Sequence, residues 1–110
     1  MPHDSKPPRQ HREFIERFPK LGEAWDAIHE AEAQGPLDPR TARLVKLAVA
    51  IGALKEGAVH AAARKALGAG VTAADMHQVV ALAAATLGLP STVAAYGWVQ
   101  DVAARDPKRD

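Results

Sequence analysis

The chain contains no cysteine, which removes disulfides, thiolate nucleophiles, iron–sulfur clusters and cysteine-ligated zinc at once. Redox chemistry would therefore need a bound cofactor. Aromatic residues make up only 5% of the 110 positions. Without a basic patch beside them, Trp25, Tyr96 and Trp98 read as packing anchors rather than a surface for stacking bases. Charge of one sign is not in excess either: 14 Lys and Arg face 13 Asp and Glu. A nucleic-acid or anionic-membrane binder relies instead on clustered positive charge. No apolar run approaches the ~20 residues of a membrane helix; the longest, Val79 to Pro90, is largely alanine. The basic start has no apolar stretch behind it, unlike a secretory signal. These absences lead us to expect a cytoplasmic protein with neither nucleic acid nor membrane as partner.

What is present is helix patterning. Three prolines in the first eight residues suggest a disordered lead-in over 1–10, and the basic 105–110 segment reads as a frayed tail. Between them, apolar residues recur at three- and four-residue spacing, punctuated by Gly and Pro, so a single all-α domain of about five helices is expected over 11–104. The first helix runs from about His11 to Ala33, with Phe14, Phe18, Leu21, Trp25 and Ile28 on one stripe and an interruption before Pro19. Asp38 caps the second, whose first helical residue is Pro39 and which extends to about Leu54. The third covers Glu56 to Ala69 and stops at Gly70. Thr72 caps the fourth, with Asp75 completing a capping-box spacing, and Gly88 halts it after Leu87. Pro90 opens the fifth, which reaches about Ala104. Alanine fills 24 positions, mostly in the last four helices, so a monomer buries little area per residue and self-association is expected.

The run Gly35-Pro36-Leu37-Asp38-Pro39-Arg40-Thr41-Ala42-Arg43-Leu44-Val45-Lys46-Leu47-Ala48-Val49-Ala50 resembles the opening of the carboxymuconolactone decarboxylase family. So do Gly57-Ala58-Val59-His60, Ala66-Leu67-Gly68-Ala69-Gly70-Val71-Thr72 and Leu82-Ala83-Ala84-Ala85-Thr86-Leu87-Gly88-Leu89-Pro90, in that order. The resemblance covers about 14–104 and implies an alkylhydroperoxidase D-like helical bundle that assembles as a homotrimer or homohexamer. Redox members carry Cys-x-x-Cys at the start of the third helix, with a Glu before it and a His after it. Those places fall here at Lys55 and Ala58, Arg43 and Ala62. All four differ, so thiol peroxidase activity does not carry over. The resemblance to the decarboxylase branch implies chemistry without metal or cofactor, resting on a His and a Glu near this region. Here the His is His60, two residues from the family position.

Glu56, His60 and Arg64 fall at i, i+4 and i+8 and line one strip of the third helix. A carboxylate beside an imidazole holds its tautomer and favours its protonated form, preparing a general acid/base; the alternative is a solvated salt-bridge strip. Lys46 interrupts an apolar segment of the second helix, where desolvation would make its amine a base or nucleophile and a nearby Glu56 would make it a charge that holds an anion; the alternative is a snorkelling side chain at a subunit contact. Arg43 and Lys55 add positive charge and read as substrate-binding groups. His29 and His77 have no second ligand at metal-binding spacing and read as ordinary helix residues. The sequence thus points to a cofactor-free acid/base enzyme, a decarboxylase, lyase or isomerase acting on a small anion, with His60, Glu56 and Lys46 catalytic. The alternative is a non-catalytic oligomer that binds a small molecule or a partner.

Overall fold

Prolines and capping side chains decide where the helices of this chain begin. The computed structural model describes residues 9–105. Among them every regular element is a helix: α1 (Arg9–Arg17), α2 (Pro19–Glu32), α3 (Pro39–Ala53), α4 (Glu56–Gly68), α5 (Ala73–Leu87) and α6 (Leu89–Ala103). The expected five become six because Pro19, with a fixed φ and no N–H, ends one helix and opens the next. Helix α1 starts at Arg9, ahead of the expected His11. Residues 1–8 of the expected lead-in and 106–110 of the expected tail lie outside the described residues.

The remaining boundaries have local causes. The Asp38 carboxylate accepts the Thr41 N–H at 3.1 Å. That contact holds its carboxyl below the usual range. At α5 the capping box is complete, with Asp75 N–H donating to Thr72 Oγ1 at 3.1 Å and Thr72 N–H to Asp75 Oδ2 at 2.9 Å. These bonds to Thr72, with a smaller contribution from Arg40, lower the Asp75 carboxyl as well. Gly70 and Gly88 take φ of 89° and 83° after α4 and α5, a region open to glycine at little steric cost. Leu54, closing α3, takes φ 54° although it carries a side chain.

The chain forms two compact units that divide between Leu37 and Asp38. In the first, α1 and α2 pack on each other at a close approach where Gly22 faces Ile15; a Cβ on Gly22 would meet Ile15 Cγ2 at 2.6 Å. Neither helix buries a residue. In the second unit, α3 and α6 each pack against both α4 and α5, a four-helix ring. Its core holds Leu47, Ile51, Val59, Met76, Val80 and Val99, interleaved with Ala63, Ala66 and Ala95. Alanines at these places let the helices approach closely at the cost of buried area. Of the two tryptophans expected to anchor packing, Trp98 lies against this core, whereas Trp25 stays 49% exposed. An ion pair between Arg40 and Asp75 joins the first turns of α3 and α5.

Candidate functional site

Helix α4 begins at Glu56 and carries Glu56 and His60 one turn apart, the register at which side chains of a helix meet. Their atoms lie 3.9 Å apart, Glu56 Oε2 to His60 Nε2. The closer partner of His60 comes from elsewhere. Helix α6 packs on α4 and presents Asp101 from its last turn, with Oδ2 at 3.0 Å from His60 Nε2. His60 is 30% exposed, Glu56 59% and Asp101 48%, so the imidazole sits between two solvent-facing carboxylates. With Nε2–H donating to Asp101, the ring lone pair resides on Nδ1. An imidazole bonded through one nitrogen and open at the other can exchange a proton at the open one.

Arg64, the third member of the strip, behaves differently. Its Nε is buried without a hydrogen-bond partner among the described residues, so that nitrogen does not extend the pair at His60 into a relay. On α3, which packs on α4, Lys46 and Arg43 are both half-buried. Lys55 is exposed at the N-cap of α4 and makes no side-chain capping bond. The helix pairing therefore sets Arg43 and Lys46 on the neighbour of the helix that carries Glu56 and His60.

Sequence reasoning missed Asp101, because its separation of 41 residues from His60 is bridged by the packing of α6 on α4 and by no local pattern. It also missed a second polar contact on the same helix: His77 Nε2 meets Gln100 Oε1 at 2.7 Å, and the His77 ring lies 5.2 Å from that of Tyr96.

The order of these elements can be compared with known families. The family model described as "Carboxymuconolactone decarboxylase family" matches residues 19–101, most of the chain. The chain belongs to the carboxymuconolactone decarboxylase family. Neither the curated proteins nor the solved structures contained a significant match. Within this family member, the match extends from the first residue of α2 to Asp101 itself. The positions where the redox motif would fall are Lys55 just before α4, Ala58 and Ala62 within it, and Arg43 on α3. None of these four carries a sulfur, so a thiol cycle has no residue to run on.

Proposed function

We propose that this family member is an acid/base enzyme that needs no cofactor: a lyase or isomerase of the decarboxylase type, acting in the cytoplasm on a small anionic substrate and without peroxidase activity. The observation that carries the reading is the His60 imidazole held between Asp101 and Glu56. In this reading His60 moves the proton. Asp101 and Glu56 fix its tautomer and its orientation. Lys46, with Arg43 and Lys55, supplies positive charge for the substrate anion. The buried Arg64 Nε supports an acceptor-bearing ligand, because an unmet buried donor costs about 1–3 kcal/mol and a carboxylate would meet it.

The active form is a homotrimer or homohexamer. Support comes from the large apolar side chains left in solvent by one chain, among them Val49 at 67%, Leu82 at 73% and Leu89 at 70% exposed. Large apolar side chains left open on one chain are candidates for burial against a second copy.

The test uses the full chain and a panel of small carboxylates. Binding is read by NMR, and proton transfer by exchange of carbon-bound substrate hydrogen with deuterated solvent. His60→Ala is expected to lower the exchange rate by about 100-fold or more while the circular dichroism spectrum is unchanged. Lys46→Met is expected to weaken anion binding without loss of thermal stability, since the aliphatic stem is kept. If both variants destabilise the assembly and neither alters binding or exchange, the cluster is a structural contact and the enzyme reading fails.

A further inference from the structure

We infer that Glu56, His60 and Asp101 together form a binding site for a divalent transition-metal ion, with Zn2+ as the reference case. One oxygen of Glu56, His60 Nε2 and one oxygen of Asp101 all lie within 4.8 Å of one another. Two of the separations are 3.0 Å and 3.9 Å. Ligand atoms bound to zinc at ~2.0–2.2 Å in a tetrahedron are about 3.4 Å apart. The third side, from Glu56 to Asp101, falls within the same 4.8 Å. The donors come from two helices, α4 at i and i+4 and α6 at its end, so backbone packing holds the pair His60 and Asp101 in place before any ion arrives. A fourth position faces solvent and would keep water.

Two features separate this cluster from ordinary surface acids. The first is the imidazole, shared between carboxylates from different helices; a nitrogen donor selects transition metals over Mg2+ and Ca2+, which take oxygen ligands. The second is the location of Asp101. It stands in the last turn of α6, where the carbonyl dipoles already concentrate negative charge and disfavour a carboxylate. A cation bound there relieves both the dipole and the facing Glu56. No spacing in the sequence announces the site, because the third ligand lies 41 residues beyond His60. Metal binding does not rest on the acid/base reading. Its effect on catalysis does: with an ion on Nε2 the ring's one N–H sits on Nδ1, no nitrogen lone pair is left to take a proton, and occupancy switches proton transfer off.

The experiment titrates the metal-free full chain with Zn2+ alone, by calorimetry, and with Co2+, by paramagnetic shifts in the amide NMR spectrum, with no organic ligand present. One equivalent is expected to bind. The largest Co2+ shifts should fall on the amides around 56–60 and 100–102. Asp101→Asn and His60→Ala are each expected to weaken Zn2+ by about tenfold or more, whereas His77→Ala and His29→Ala leave it within twofold. Mg2+ in large excess should not displace the ion. The inference is overturned if Zn2+ affinity survives in Asp101→Asn and His60→Ala, if the Co2+ shifts centre on other residues, if Mg2+ competes on equal terms, or if no ion binds. Should a variant fail to fold, the Co2+ map of the unaltered protein decides. Loss of metal binding would leave the deuterium exchange test of the enzyme untouched, so the two readings fail separately.

Discussion

The α1–α2 hairpin and the α3–α6 ring are built from the same material, helices of which α2, α3 and α6 have a proline among their first two residues, and they end in opposite states. The ring sinks Leu47, Ile51, Val59, Met76 and Val99 below 2% exposure, while the hairpin leaves Phe14, Phe18, Leu21, Trp25 and Ile28 near half exposed. The hairpin carries short-range ion pairs, Arg9 to Glu13, Lys20 to Glu23 and His29 to Glu32. The ring's bonds tie distant segments, Arg40 to Asp75 and His60 to Asp101. Two helices alone cannot enclose a core, whatever their pattern; four can, even when alanine fills much of the seam. The larger side chains thus sit where the chain itself buries them least. In the proposed assembly a second copy would cover them.

The comparison can be broken by mutation. The largest effect is expected from Met76→Ala, which opens a cavity in the ring and should lower unfolding free energy by about 2–5 kcal/mol in denaturant titrations. Trp25→Ala, though it removes a larger side chain, should cost well under that in dilute protein and should instead weaken self-association seen by light scattering. Equal losses in unfolding free energy would show the hairpin to be as well packed as the ring. Next, Thr72→Ala removes one half of the capping box and should cost about 1 kcal/mol.

Acid sharpens the same contrast. Asp38 and Asp75 have folded-state carboxyl pKa values below their unfolded ones. Their contribution is therefore complete above the ordinary carboxylate range and is lost as pH falls through the lowered values. Both cap ring helices, so acid should loosen the ring, and Asp75→Asn should flatten the fall in thermal midpoint below about pH 4. An unchanged slope would mean that these caps contribute nothing to acid sensitivity. The smallest effects come from two glycines. Gly97→Ala in α6 meets nothing within 4 Å and should gain roughly 0.5–1 kcal/mol from helix propensity. Gly22→Ala has the same propensity gain but collides with Ile15, so amide exchange across α1 and α2 should quicken.

Much of this fold was legible because its boundaries are local events. Asp38 with Pro39, Thr72 with Asp75, and Gly70 and Gly88 each announce a helix end through chemistry confined to a few residues. Leu54 gave no such sign: a leucine in left-handed backbone has no sequence signature, and the α3 end was legible only because Glu56 restarts the pattern. In the site, Glu56 and His60 were legible for the same local reason. Asp101 was not, since which carboxylate meets His60 depends on which helix packs on α4. The spacing of Arg64 puts it on the strip with His60, and spacing does not report that its Nε is buried.

The place of Asp101 in the final turn of α6 also carries a kinetic consequence. Terminal turns open and close many times for each global unfolding event, at a small fraction of its free energy. When the turn from Gln100 to Ala103 unwinds, His60 loses its nearest hydrogen-bond partner while α4 stays folded. The rate of that unwinding sets the upper limit on how fast the contact between the two helices is broken and remade. The amide of Ala104, bonded to the carbonyl of Gln100 at 2.9 Å, is the natural clock for it.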